Sequence, residues 1–212
     1  YLVKRTINGS TVRYLEKWAL ESECQGGSLN KQADSFFVYD GAATTTITGL
    51  GHLEGEDVVV WADGEDVGTD ANGDLIYTVS GGSITLAVAA SQVVVGLFYE
   101  ARYKSTKLAY AAANGSALTK EKRISSIAPI LANTHAKGLM FGSNLDETET
   151  MDPMPDIEDG ALVEDGYIWT HYDKGGVEFP GEWDVDSRLC LRAQAPRPCT
   201  VLGCVITLDT KG

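Results

Sequence analysis

The chain has 212 residues, 17 Lys and Arg against 30 Asp and Glu, and a formal net charge of -13 at pH 7. Sequence-independent binding to nucleic acid depends on clustered cations, and this composition argues against that class of function. The sequence contains no signal peptide and no apolar run of about 18 residues, so we expect no membrane span. Because the chain opens on Tyr1 rather than Met, we also expect it to be processed or an excerpt of a longer product.

The first predicted element is a β-hairpin. Residues 2–7 and 11–16 flank Asn8-Gly9, the residue pair that most strongly favours a two-residue hairpin turn. Alternation of residue character in both arms indicates that one face is buried. Residues 21–34 are polar, lack periodicity and are predicted to form a loop.

A small antiparallel β unit is predicted next. Residues 44–48 and 57–61 are rich in β-branched side chains and are separated by a glycine-rich turn, a pattern typical of strands. Asp63-Gly64 then favours a turn with positive φ. Further strands without helical segments between them are predicted at 75–79, 83–88 and 92–99.

The second half of the chain is predicted to form another β layer. Residues 123–131 are predicted as a strand bent at Pro129, where a proline implies an edge strand or a bulge. Residues 188–192 and 200–208 are predicted to form a closing hairpin whose second arm is central in its sheet. Another strand is predicted at residues 167–172.

Together these elements predict an all-β fold of antiparallel sheets. A small barrel or sandwich unit is expected to be inserted in, or followed by, a second β-sandwich layer. We divide the chain into a leading hairpin and linker at residues 1–40, a small antiparallel domain at 41–103 and a β-sandwich domain at 104–212. A chain of this length can bury a core in one large domain or in two small ones.

The most acidic segment is residues 145–166, which contains no Lys or Arg. Carboxylates at this density repel one another, so we predict an irregular, exposed loop. A cation site and a solvated loop both stay open as interpretations. The candidate interaction residues are Asp156, Glu158 and Asp159, which need water, a cation or the basic surface of a partner subunit because burying an unpaired carboxylate is costly.

The sequence contains no catalytic motif. We therefore expect no catalytic residue, no cofactor, no metal ligand and no enzymatic activity. The four cysteines lack C-x-x-C spacing and are predicted to be free thiols, although Cys190 and Cys199 could face each other across a hairpin. His171 and Asp173 resemble half of a Ser-His-Asp arrangement, but no nucleophile elbow accompanies them and a structural role competes. Residues 70–74 resemble a calcium loop that lacks two ligands, which favours a hairpin turn.

Four sequence segments occur in a specific order. They are residues 3–16 (VKRTINGSTVRYLE), residues 47–55 (ITGLGHLEG) with 60–64 (VWADG), residues 95–99 (VGLFY) and residues 179–184 (FPGEWD). Each segment is short, but together and in this order they resemble the C-terminal part of tail nozzle, or tail tubular B-type, proteins of tailed phages.

The resemblance implies a structural subunit of a phage virion. It implies a place in a homo-hexameric nozzle or hub ring at the end of a short tail, assembled in the host cytoplasm, with adaptor and fibre proteins as neighbours and DNA only as passing cargo. Complete nozzle proteins are much longer and usually include a β-propeller, so a terminal fragment or a reduced relative is expected. An acidic ring would repel phosphate and let DNA slide.

A second hypothesis is a β-sandwich module of a phage tail that binds a glycan or a receptor. Aromatic side chains in loops or at strand ends offer flat apolar platforms, although filling of the core is a competing interpretation. The candidates are Tyr39, Trp61, Tyr99, Tyr103, Tyr167, Trp169, Tyr172 and Trp183.

Overall fold

The computed structural model of the protein describes residues 1–70, 73–109, 111–112, 115–146, 151–155, 157–158, 160–164 and 166–211. Within these residues the secondary structure consists of β-strands and short 3-10 helices, and every strand pair is antiparallel. The predicted all-β class is therefore confirmed. None of the sheets formed by the described strands closes into a barrel.

The chain divides into two compact units. The first unit comprises Tyr1–Tyr99 together with Ala195–Pro198, and the second comprises Glu100–Gln194 together with Cys199–Gly212. Residues 195–198 therefore belong to the first unit although the chain on both sides of them belongs to the second. The predicted division after residues 40 and 103 stays a prediction.

The first unit begins with the predicted hairpin. Strands β1 (Leu2–Ile7) and β2 (Ser10–Leu15) form a separate two-stranded sheet, and the register places Ile7 opposite Ser10. The turn residues Asn8 and Gly9 have φ of 46° and 72°. Both angles lie in the left-handed region that this type of turn requires and that Asn and Gly tolerate best. A 3-10 helix follows at Glu21–Glu23.

A five-stranded sheet forms the body of the first unit. Its strands are β3 (Asp34–Thr48), β4 (Asp57–Ala62), β5 (Glu65–Asp66), β6 (Tyr77–Thr78) and β7 (Ser83–Leu97), and a 3-10 helix spans Gly51–Leu53. The order is β3–β7–β4–β5, with β6 also paired to β4. Both β3 and β7 have 15 residues, whereas the sequence predicts a strand only at residues 44–48 in the first region and two shorter strands, 83–88 and 92–99, in the second. Register shifts around Thr44 absorb extra residues, so β3 continues through a polar stretch instead of ending there.

Strand β4 lies at the centre of the packing of the first unit. Val58 and Val60 belong to the larger core cluster, whereas Val59 packs in a second cluster with Ala33 and Ala195. The indole Nε1 of Trp61 donates to a loop carbonyl at 2.9 Å. Both faces of β4 are therefore covered, which explains its continuous apolar sequence. The larger cluster consists of Ile47, Leu50, Leu53, Val58, Val60, Ala62, Val79, Ile84, Leu86, Ala90, Val93 and Val95.

Two four-stranded sheets form most of the second unit. The first contains β11 (Lys122–His135), β16 (Ile168–Tyr172), β17 (Val177–Glu178) and β19 (Thr200–Thr210), and the second contains β8 (Glu100–Lys104), β12 (Leu139–Gly142), β13 (Asp152–Pro153) and β18 (Cys190–Gln194). Strand β11 pairs with β19 along one edge and with β16 and β17 along the other. The smaller elements are β9 (Ala111–Ala112) with β10 (Gly115–Ser116), β14 (Ile157–Glu158) with β15 (Ala161–Leu162), and a 3-10 helix at Ala117–Thr119.

Two strand assignments in the second unit differ from the prediction. The closing hairpin is wrong, because β18 pairs with β12 and β8 whereas β19 pairs with β11. Within the described residues β19 is an edge strand, and its exposed Leu202 and Val205 agree with that position. Among the described residues Pro129 pairs only with Cys204 of β19, because the other edge of β11 pairs with β17 up to Ile127 and with β16 from Leu131 onward. The strand is therefore paired on one edge at the proline, as the edge interpretation expects. A register shift between Ile130 and Leu131 directly after the proline supports the bulge interpretation.

Aromatic side chains fill the core of the second unit. Phe141 stacks on Phe179 with ring centroids 5.9 Å apart, and Trp169 lies 5.0 Å from Tyr172. Phe179 is followed closely by Gly181, whose position is restricted by the backbone of β11. A Cβ atom added at Gly181 would lie 2.5 Å from the carbonyl oxygen of Ile124.

We predict that Gly181→Ala destabilises the protein by about 1–3 kcal/mol, because the added methyl group meets backbone that cannot rotate away. Gly175→Ala is the matched control, since a Cβ there has no atom within 4 Å. The free energy of unfolding in urea measures both variants. Equal stability of the two would contradict the close approach of residue 181 to β11.

Candidate interaction surfaces

Three of the segments singled out in the sequence contact one another in the first unit. The hydroxyl of Tyr14 donates to the carbonyl oxygen of His52 at 3.0 Å, and the two rings meet edge to face. Val60 and Val95 are paired residues of β4 and β7. The segments at 3–16, 47–64 and 95–99 are therefore parts of one packed body, although they are far apart in the sequence.

A forked ion pair fixes the inner face of the first hairpin. Arg5 Nε and Nη2 donate to the carboxylate of Glu16 at 2.8 and 2.7 Å, and Nη1 and Nη2 donate to that of Asp34 at 2.7 Å each. Ser35 Oγ also donates to Glu16, at 3.0 Å. The side chains of Arg5 and Glu16 are only 14% and 11% exposed. The guanidinium therefore joins β1, the end of β2 and the start of β3 at one point.

The same contacts change the pKa values of both Arg5 and Glu16. The hydrogen bonds from Arg5 hold the pKa of Glu16 below its ordinary value, and those to Glu16 and Asp34 raise the pKa of Arg5. Because the pKa of Glu16 is lower in the folded protein, its contribution to stability is present above the unfolded value of about 4.5 and is lost as pH falls through the folded value.

A groove of about 910 Å³ lies beside this ion pair in the first unit. Trp18 is 72% exposed at the groove, and its indole meets the ring of Tyr1 edge to face at 5.4 Å. Phe36 contributes a second aromatic wall under the ammonium group of Lys31. The groove therefore combines exposed aromatic rings with carboxylates, the chemistry of a surface that contacts sugars or polar peptides. Trp18 follows the predicted hairpin in a stretch without periodicity, so the sequence did not indicate it.

The acidic segment is only partly the irregular exposed loop that the sequence predicts. Asp152–Pro153 forms β13 against β12, and Met151 and Met154 are 4% and 2% exposed. The prediction of an irregular, exposed loop is wrong for residues 151–154, because Met151 and Met154 are buried. The sequence indicates exposure here because carboxylates dominate the composition around the two methionines. The β14–β15 hairpin lies beyond this anchor and exposes both Ile157 and Leu162.

The three predicted interaction residues are close to one another in the sequence around β14. Asp156 and Asp159 lie outside the described residues, and the backbone of Glu158 lies in β14. Their role in contacts stays a prediction.

The histidines are not brought into a catalytic arrangement within the described residues. His171 Nε2 lies 3.2 Å from a carboxylate oxygen of Asp173, and the two side chains are 62% and 66% exposed at the surface. His52 Nε2 lies 3.0 Å from the carbonyl oxygen of Ser35, and His135 Nδ1 accepts the backbone N–H of Lys137.

All four cysteines are free. Cys190 and Cys199 do not face each other across a hairpin, because they lie at β18 and beside β19 in different sheets. Cys199 lines an apolar cleft of about 560 Å³ in the second unit, where burial raises its pKa to about 11. The thiol therefore stays protonated near neutral pH.

The predicted aromatic platforms divide into core and surface residues. Trp61, Trp169 and Tyr172 are buried, so core filling accounts for them. Tyr103 and Trp183 are 56% and 38% exposed, and Arg123 and Lys211 both lie against the indole of Trp183 at 5.2 and 5.1 Å.

No protein-family model matches the chain, and no curated protein matches it. The part of the chain that the structure describes contains no group of three or more His, Cys, Asp or Glu side chains placed to hold a metal ion. Among the same residues no helix is long and apolar enough to cross a membrane.

We predict that Arg5→Gln destabilises the protein by about 2 kcal/mol at pH 7, because two partly buried carboxylates lose their charged donors. The difference from the wild type should shrink on acidification from pH 7 toward pH 3, because the Glu16 carboxylate loses its charge as the pH falls through its lowered pKa. Arg13→Gln on the exposed face of the same hairpin is the control and should change stability by less than about 0.5 kcal/mol. Urea unfolding at both pH values measures the effect, and a pH-independent difference would contradict the linkage to Glu16.

Proposed function

We propose that the chain is a non-enzymatic structural subunit of a tailed-phage virion, part of the nozzle or hub ring through which DNA is ejected. The observation that carries the proposal is the physical contact between the resembling segments. Residues 3–16, 47–64 and 95–99 pack into one body through the Tyr14–His52 contact and the β4–β7 pairing. Segments that share an order with nozzle proteins and also pack together support a shared structural unit more strongly than scattered short matches do.

The fourth segment supports the proposal in the second unit. Residues 179–184 contribute Phe179 to the core, and Gly181 lies so near β11 that an added Cβ would be 2.5 Å from the carbonyl oxygen of Ile124. Asp184 exchanges backbone hydrogen bonds with Lys122, at 2.9 and 3.0 Å. The segment therefore has a packing role at each of these positions, as expected for a structural motif.

The net charge of -13 fits a component that DNA passes without binding. In the proposed assembly the chain forms a homo-oligomeric ring, hexameric by resemblance, in contact with adaptor and fibre proteins. DNA is then cargo and not a ligand.

A second candidate is a tail module that binds a glycan or receptor. The specific observation in its favour is the exposed Trp18 beside Tyr1 at the groove of the first unit. Exposed aromatic faces next to carboxylates suit stacking on sugar rings and hydrogen bonding to hydroxyl groups.

The native mass of the purified chain separates the two candidates. Light scattering over a wide concentration range should give a closed oligomer of fixed stoichiometry if the chain is a ring subunit. A monomer at every concentration that binds glycans and loses that binding in Trp18→Ala would contradict the ring and favour the second candidate.

The acidic segment gives a further prediction. Substituting Asp156→Asn, Glu158→Gln and Asp159→Asn together should change the free energy of unfolding by less than about 0.5 kcal/mol. The same variant should assemble less strongly than the wild type, and its assembly should change less when the salt concentration is varied. The control removes three exposed carboxylates elsewhere, by Glu65→Gln, Glu178→Gln and Glu182→Gln. Loss of several kcal/mol of stability in the first variant would instead place these carboxylates in the folded core or at a structural ion.

A further inference from the structure

Residues 203–207 of strand β19 have one edge without a strand partner in the part of the chain that the structure describes. The other edge of β19 pairs with β11. That pairing contains two register shifts, and between them it is regular over residues 203–207, with Val205 at the middle. The side chain of Val205 is 61% exposed. The backbone N–H and C=O groups that face away from β11 here therefore offer a free edge to another strand.

This edge lacks the features that protect the edges of the other large sheet in the second unit. Charged side chains and proline keep a strand edge from pairing with another chain. In the other sheet the edge strand β8 carries Arg102 and Lys104, and the opposite edge strand β13 consists of Asp152 and Pro153. Residues 199–208 contain no charged residue and no proline. The regular segment of β19 is therefore open to the addition of a strand.

An uncovered part of the core lies beside the same edge. The apolar cleft of about 560 Å³ is lined by residues of β19 and of the edge strand β8. Tyr103 of β8 lies opposite Leu191, so both side chains point to the same face of their sheet. Leu191 is buried in the core, whereas Tyr103 is 56% exposed, and Leu202 at the same cleft is 63% exposed. The open side of the two sheets thus exposes apolar side chains that a further strand would cover.

The sequence of the segment is compatible with pairing to a second copy of itself. Two antiparallel copies centred on Val205 place that residue opposite its counterpart and Cys204 opposite Ile206, so that apolar side chains meet across the strands. The nearest charged residue of β19, Asp209, falls opposite the uncharged Val201 in this register. A chain with a net charge of -13 repels its own copies over most of its surface. An uncharged segment is where two copies approach with the least repulsion.

We propose that β19 pairs with β19 of a second copy, antiparallel and with Val205 at the two-fold axis. The contact continues the β11–β19 sheet from one copy into the next and brings the open sides of the two copies together. It is isologous and joins copies in pairs, whereas heterologous contacts close a ring. Pairing of this kind does not depend on the proposed ring, and either can fail without the other.

Charged substitutions at residue 205 test the pairing and its register. Val205→Lys and Val205→Glu each place like charges opposite each other across the two-fold axis. Sedimentation velocity should show each variant alone pairing at least about tenfold more weakly than the wild type. An equimolar mixture of the two variants should regain pairing, because a lysine then lies opposite a glutamate. The controls Val88→Lys and Val88→Glu change a valine of the first unit that is 78% exposed, and they should pair as the wild type does. Circular dichroism checks that every variant is folded.

Disulfide cross-linking between copies tests the same axis. Directly opposed Cβ atoms lie about 4.5–5.5 Å apart, so Val205→Cys should form a linked dimer on mild oxidation. Thr207→Cys is the matched control on the same exposed side of β19, where the two thiols would lie about 14 Å apart along the strands and should not link.

A wild type that is monomeric at all concentrations, unchanged pairing of the two residue-205 variants, a mixture that stays monomeric, or equal cross-linking of the two cysteine variants would overturn the inference. Rescue by the mixture in a protein that forms no closed ring would support the β19 contact while contradicting the proposed function. Loss of pairing in the single variants with rings retained would support the contact and leave the proposed function standing.

Discussion

One long strand in each unit pairs along both of its edges, and the rest of the unit depends on that pairing. Strand β7 lies between β3 and β4 in the first unit, and β11 lies between β19 and the β16 and β17 strands in the second. A strand in this position satisfies its backbone groups on both sides, so the strands around it can be short or bulged without loss of the core. The two largest core clusters form on these sheets, one around Val93 and Val95 and the other around Ile127 and Leu131.

This constraint also explains which features the sequence predicted. Local turn chemistry was sufficient for the first hairpin, where Asn8 and Gly9 take the expected positive φ, and for the turn at Asp63 and Gly64. Pairing between distant segments was not predictable in the same way. The sequence predicts only residues 44–48 of β3 as a strand, because the register shifts that let β3 run from Asp34 to Thr48 depend on its partner β7. The proposed closing hairpin failed because the partner of β19 is β11, more than 60 residues earlier.

The surfaces show the same division between local and distant information. The acidity of residues 145–166 was visible in the sequence, but the anchoring of Met151 and Met154 was hidden by the surrounding carboxylates. The opposition of Lys4 and Arg13 follows from counting outward from the two-residue turn, so local turn chemistry is sufficient to define that cationic face. The fork from Arg5 to Asp34 was not available, because it joins the hairpin to a strand beyond a long loop. The inner face of the hairpin thus packs against the rest of the first unit, whereas Leu2, Lys4, Arg13 and Leu15 on its outer face are exposed.

Electron cryomicroscopy of the assembled chain tests the central claim most directly, which is that this all-β protein is a ring-forming structural subunit. The account predicts a closed ring with a fixed number of subunits around a channel wide enough for duplex DNA. Particles that are only monomers, or open aggregates without a fixed subunit number, would contradict it.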